Sequence, residues 1–143
     1  MIALDTNILI YAHRAGAALH RPARSAIEKL VAQGRPWGFA LATVGEFWSQ
    51  VTHPRYPGGA SRAREAAGFL NALVSTGGAC VLMPGDGFAE RLLRWAGELD
   101  VTGVRVFDLQ IALMALDNGA TELWSHDAAF VAVPGVRVCD PLA

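Results

Sequence analysis

Met1-Ile2-Ala3-Leu4-Asp5-Thr6-Asn7-Ile8-Leu9-Ile10-Tyr11 opens the chain, and the order of residue types in it decides the fold. Residues 2–4 are a short apolar run that reads as a strand, Asp5-Thr6-Asn7 supplies turn and cap chemistry, and Ile8 to Tyr11 continue as a buried helix. Strand then helix recurs down the sequence. From Pro22 to Val31 the apolar residues fall at helical spacing, with Gly34 as the stop. Trp37 to Leu41 reads as a second strand. Thr43 opens a helix with Val44, Phe47, Trp48 and Val51 on its stripe, His53-Pro54 ends it, and Pro54 to Gly59 form a loop. Two amphipathic helices, over 61–76 and 86–99, flank a strand at Cys80 to Met83. A helix over 106–118 is apolar on almost every face and should be largely buried, with Gly119 as its left-handed cap. Thr121 to Trp124 and Val136 to Val138 are the last strands, and Ala128-Ala129-Phe130 reads as a short helical turn. This alternation predicts one α/β domain over residues 1–143, with a parallel sheet of about five strands covered by helices on both faces.

Composition agrees with a packed domain. Hydrophobic residues make up 52% of the 143 positions against 17% charged, which argues against disordered and fibrous classes. A carboxylate at Asp5 interrupts the N-terminus before any stretch of signal-peptide length, and no uncharged run reaches the roughly 18 residues of a membrane span. The expectation is a cytoplasmic protein without membrane attachment. Cys80 and Cys139 have no paired metal-ligand spacing and read as reduced core residues. The net charge of −1 lacks the basic excess that phosphate binding usually brings. Lys29 is the sole lysine; the arginines, among them Arg14, Arg21, Arg24, Arg55, Arg62, Arg64 and Arg105, match phosphate geometry, but a solvated surface explains them equally well.

Four acids carry the chemistry. Asp5 follows the first strand, Glu46 and Asp108 sit in the first turns of helices, and Asp127 follows the fourth strand. In right-handed crossovers, helix N-termini and strand C-termini gather at one sheet edge, where open α/β sheets bind ligands. Two unit charges about 4 Å apart repel by roughly 4 kcal/mol at an effective dielectric near 20, so four converging carboxylates call for a cation. Oxygen-only donors favour Mg²⁺ or Mn²⁺ over zinc. Each acid also has a plainer explanation: Asp5 as a helix cap, Glu46 as the second half of a capping box with Thr43, Asp108 as a dipole partner, Asp127 as the start of a turn. Independent caps, however, have no reason to share one edge of one sheet. Ala112 and Ala115, along the helix from Asp108, leave room for an ion or a closely packed neighbour. Thr6, Asn7 and Ser125 stand beside the acids as groups that could orient water or a phosphate.

These residues also carry a family resemblance. Leu4-Asp5-Thr6-Asn7-Ile8-Leu9 resembles the opening signature of PIN domains, and Thr43-Val44-Gly45-Glu46-Phe47 their second motif. Val106-Phe107-Asp108-Leu109-Gln110-Ile111-Ala112 resembles the third, and Leu123-Trp124-Ser125-His126-Asp127 with Phe130 the fourth. His53-Pro54-Arg55 and the ending from Pro134-Gly135-Val136 to Asp140-Pro141-Leu142 are similar to a subgroup of VapC-type toxins. The resemblance runs the whole chain, departing at His126-Asp127-Ala128-Ala129, where many relatives are more polar or basic. It implies a three-layer α/β/α PIN-like fold and an endoribonuclease that uses Mg²⁺ or Mn²⁺. Asp5, Asp108 and Asp127 would hold metal, and Glu46 would bind it directly or through water. It also implies a homodimer silenced by a small VapB-type antitoxin. Arg55, Tyr56 and the Gly58-Gly59 loop could touch RNA.

A phosphotransfer receiver domain would need an acid pair after the first strand and a lysine after the fifth, and Lys29 is too early. A haloacid-type phosphatase would place a second aspartate where Asn7 stands. The alternative that survives is a catalytically idle PIN scaffold that binds RNA or a protein.

Overall fold

In the computed structural model, which describes residues 1–143, the strand at the start of the chain becomes the middle of the sheet. β1 (Ile2–Leu4) lies between β2 (Trp37–Ala40) and β4 (Glu122–Trp124), with β3 (Cys80–Leu82) and β5 (Arg137–Cys139) at the two edges, and all pairings are parallel. The order β3-β2-β1-β4-β5 means that the chain builds outward from β1 in one direction, then returns to build in the other. β1 and β4 therefore straddle a topological switch point, the crevice where such sheets bind ligands.

Side chains on alternate residues of a strand point to opposite faces, and the two cores follow that rule. Ile2, Leu4, Trp37 and Phe39 enter one cluster, with α1 (Thr6–His13), α2 (His20–Ala32), α3 (Leu41–Val51) and α4 (Ala63–Ser75) packed over it. Ala3, Ala40, Leu82 and Leu123 enter the other, covered by α5 (Phe88–Glu98) and α6 (Arg105–Asp117). The fold is thus the three-layer α/β/α arrangement with five parallel strands. Gly38, in β2, has no room for a side chain: a Cβ there would collide with the Cys80 carbonyl of the neighbouring strand. Gly119 has a φ of 77°, as expected of a left-handed cap after α6.

Several sequence expectations shift. α3 starts at Leu41 rather than Thr43, and its N-cap residue Ala40 makes no side-chain bond. Glu46 consequently lies in the second turn, not the first, and Thr43 forms no capping box with it. Thr43 is instead fully buried, with the Thr6 hydroxyl donating to its own at 3.3 Å. The helical turn expected at 128–130 is a non-helical turn: the Ala129 N–H donates to Asp127 Oδ1 at 2.9 Å, and Phe130 N–H to the Asp127 carbonyl at 3.0 Å. Both cysteines are free, but neither is a core residue; Cys80 is exposed and Cys139 half-buried, because each falls on an edge strand. Ala112 and Ala115 are completely buried in the second cluster, so they serve close packing and leave no space for an ion.

Candidate active site

The C-terminal ends of β1 and β4 supply the centre of the site. Asp5 leaves β1 in an extended conformation and caps α1, its Oδ1 accepting the Thr6 N–H at 2.7 Å. Its own N–H donates to the Trp124 carbonyl at 2.8 Å, which ties it to the neighbouring strand. Ser125, the first residue beyond β4, donates its hydroxyl to Asp5 Oδ2 at 2.6 Å. The capping explanation for Asp5 is therefore correct but incomplete: one carboxylate oxygen caps, while the other takes a bond from across the sheet. Asn7 supports the same group, its Nδ2 donating to Ser125 Oγ at 3.4 Å and its Oδ1 accepting from the His126 N–H at 3.3 Å.

The two helices that close the site are α3 and α6, which pack against each other at this edge of the sheet. Glu46 from α3 and Asp108 from α6 line one open cavity of about 410 Å³ together with Asp5, Thr6, Asn7 and Asp127. The four acids named from sequence thus converge. They do not converge equally. Asp5 is only 5% exposed, and its carboxyl is pushed up to about 7, by burial first and then by the charges of Asp108 and Glu46, against the opposing bonds from Ser125 and Thr6. Burial also raises Glu46, opposed by the Thr6 hydroxyl and reinforced by Asp108. Asp127, by contrast, is held below the usual carboxylate range by Arg105.

Arg105, named from sequence only among the arginines that match phosphate geometry, is the lining residue whose place beside the acids sequence reasoning missed. Its Nη1 donates to Asp108 Oδ2 at 3.1 Å and to Asp127 Oδ2 at 2.6 Å, and it is the single cationic side chain lining the cavity. The available signal was its position three residues before Asp108 in one helix, where side chains share a face. Asp108 Oδ2 also accepts the Val131 N–H at 3.3 Å. Arg55, named from sequence as a possible substrate contact, is not brought to the cleft. It lies in the exposed turn after α3, its N–H donating to His53 Nδ1. Arg14 anchors that loop instead, through bonds at 2.6 Å to the Val51 and Gly59 carbonyls and a guanidinium 3.9 Å from the Tyr56 ring centre.

As they lie, no three of the His, Cys, Asp and Glu side chains are grouped closely enough to enclose a metal ion. The donor chemistry nevertheless fits a hard divalent cation. Asp5 and Glu46 form no ion pair, and the groups bonded to the Asp5 carboxylate are a hydroxyl and a backbone N–H. A buried carboxylate lacking a cationic partner is costly, and carboxylate oxygens are the ligands that a hard divalent cation takes.

Residues 2–136 match the PIN domain family. The chain belongs to the PIN domain family. VapC ribonuclease Mb2897 of Mycobacterium bovis and ribonuclease VapC43 of Mycobacterium tuberculosis are PIN relatives, each 30% identical over 142 residues, covering 99% of this chain and 96% of theirs. Among solved structures, VapBC2 of Rickettsia felis, bound to a promoter DNA fragment, superposes with a TM-score of 0.70 at 19% identity over 98% of both chains. Mycobacterium tuberculosis VapC20, a sarcin-ricin loop cleaving toxin, does so at 0.66 and 20% identity, over 93% of this chain and 98% of that one. At such identities the structural likeness establishes the shared PIN fold.

Proposed function

We propose that this PIN domain is a Mg²⁺- or Mn²⁺-dependent endoribonuclease, acting as the toxin of a toxin-antitoxin pair. The observation that carries the reading is the meeting of Asp5, Glu46 and Asp108 in one open cleft where burial and mutual repulsion raise the carboxyls of the first two. Asp5, Asp108 and Glu46 would hold the cation, with Asp127 joining from the rim. A divalent cation, when bound, makes a coordinated water a nucleophile near neutral pH and offsets charge on the leaving oxygen. The protein's part is positional. Ser125 and the Thr6 N–H fix the direction of the Asp5 carboxylate, and Asn7 fixes Ser125. Val104 and Phe107, both exposed, border the same cavity and offer an apolar surface for an unstacked base.

The 30%-identical relatives named as VapC ribonucleases support RNA as substrate. The fold neighbour VapBC2 supports a VapB-type antitoxin as partner, and the reading is completed by a homodimer in the cytoplasm. One observation favours a second reading, a scaffold that binds RNA or protein without cutting: Arg105 already neutralises Asp108 and Asp127. The assay that separates the two uses protein freed of any co-purifying partner, incubated with RNA and Mg²⁺ or Mn²⁺. Cutting by the wild type, lost by about 10³-fold in Asp5→Ala and Asp108→Ala, is the expected result, since several kcal/mol of charge stabilisation depend on the cation. Equal cutting by all three proteins would assign the activity to a contaminant, and no cutting of any RNA would favour the scaffold.

A further inference from the structure

Arg105 stands between two carboxylates and meets both with one nitrogen. Both of its bonds, to Asp108 Oδ2 and Asp127 Oδ2, leave from the same nitrogen, Nη1, and Nε and Nη2 make no hydrogen bond within the protein. Single-pronged pairs occur elsewhere on the surface, as Arg137 with Glu122 and Arg24 with Glu28, but in each the guanidinium meets one carboxylate, whereas the full fork matches the paired oxygens of a carboxylate or phosphate. This chain contains such a case: Arg91 grips Asp117 through Nη1 at 2.7 Å and Nη2 at 2.9 Å. Arg105 leaves one edge of its guanidinium free, and its side chain is 39% exposed where it lines the acidic cavity. Val104 and Phe107, close to it in the chain, line that cavity too, so Arg105 stands where a polynucleotide would lie.

We propose that Arg105 is a phosphate-binding residue of this cleft, held by Asp108 and Asp127 and released onto a phosphate oxygen of RNA when a divalent cation takes those carboxylates. The inference rests on the nuclease reading of the site. Cation and guanidinium compete for the same Asp108 and Asp127 oxygens, and neutralising those carboxylates weakens their hold on Arg105. The displaced fork then meets a group whose geometry it matches, a phosphodiester with two non-bridging oxygens. Arg105 thereby couples loading of the cation to gripping of the substrate.

Mn²⁺ titration followed by the electron paramagnetic resonance of the free ion tests the competition. Arg105→Gln is expected to bind Mn²⁺ at least about threefold more tightly than wild type, whereas Arg105→Lys, which keeps the charge, stays close to it. Arg94→Gln, an exposed change on α5 outside the cavity lining, controls for net charge and leaves Mn²⁺ affinity unaltered. Cleavage of a short single-stranded RNA tests the grip. Both Arg105 variants are expected to raise KM more than they lower kcat, and Arg105→Gln to shrink the slope of log(1/KM) against log[salt] by about 0.7, one phosphate contact on a single strand. Circular dichroism melts of the variants verify that each is folded. Wild-type Mn²⁺ affinity in Arg105→Gln, an equal change in Arg94→Gln, or an unaltered KM would overturn the inference while leaving the nuclease intact. Failure of the wild type to bind Mn²⁺ at all would overturn both.

Discussion

Asp5 and Asp127 are both aspartates just beyond the end of a strand, on adjacent strands of one sheet, and they line one cavity. Their circumstances are opposite. Asp5 is buried on the floor, bonded to a hydroxyl and a backbone N–H, and faces two other acids without a cation of its own. Asp127 is 37% exposed at the rim, paired with Arg105 and braced by the Ala129 N–H. An exposed, paired carboxylate explains itself by local structure. A buried, uncompensated one does not, because its two accepted hydrogen bonds do not offset the cost of burying a charge without a cationic partner. The floor is therefore where function shows as a cost to folding, and the rim is where the same residue type is structurally satisfied.

The sharpest way to break that contrast is through stability against pH in the absence of added cation. Asp5 is raised from 3.8 to about 7, chiefly by burial and then by Asp108 and Glu46. Between those values the folded protein keeps a proton that the unfolded chain has released. Its contribution therefore falls as pH rises through that window, and the loss is complete above about 7. The three-unit displacement corresponds to ~4 kcal/mol at most. Thermal melts should show the wild type less stable at about pH 8 than at about pH 5. Asp5→Asn should remove most of that difference, and Mg²⁺ should restore stability at the higher pH. A wild type indifferent to pH in this range would mean that the floor is not under charge stress. The Asp127→Asn protein should keep the wild-type pH profile.

Ser125→Ala sharpens the comparison at smaller amplitude. It removes the 2.6 Å bond that aims Asp5 Oδ2 and leaves Thr6 in place. A hydrogen bond to a charged group contributes about 1.5–3 kcal/mol, so RNA cleavage should fall by roughly 10- to 100-fold. Asp127→Asn should cost less, about tenfold or below, because its carboxylate is solvent-screened at the rim. If Asp127→Asn proved as damaging as Asp5→Ala, the division into floor and rim would be wrong.

How much of this was legible in sequence depended on the range of the interaction. The first strand and helix could be read because apolar Ile2–Leu4, the cap triplet and Ile8–Tyr11 follow in immediate succession, and the parallel sheet followed from the alternation of such units. The convergence of acids followed from topology alone. Interactions across the sheet were another matter. Thr43 and Glu46 have the spacing of a capping box, yet α3 begins two residues earlier without a capping side chain, and Thr43 turns inward to Thr6, 37 positions away. Cys80 and Cys139 read as core from sequence because nothing local distinguishes an edge strand from a central one. Arg105 and Asp108 share a face by helical periodicity, but Asp127 lies 22 residues from Arg105, and no spacing rule brings them together. Arg55 is a candidate substrate contact from sequence, and its loop lies away from the cleft lining because the turn after α3 is held elsewhere by Arg14.

The claim on which the account turns is that the floor acids share a cation, and anomalous scattering from crystals grown with Mn²⁺ locates that ion without reference to activity. The account predicts one principal peak in the cleft, with Asp5 and Asp108 oxygens at coordinating distance and Glu46 bound to it directly or through a water. A peak elsewhere with the cleft empty, or a cleft peak that persists undiminished in Asp5→Asn, would contradict it.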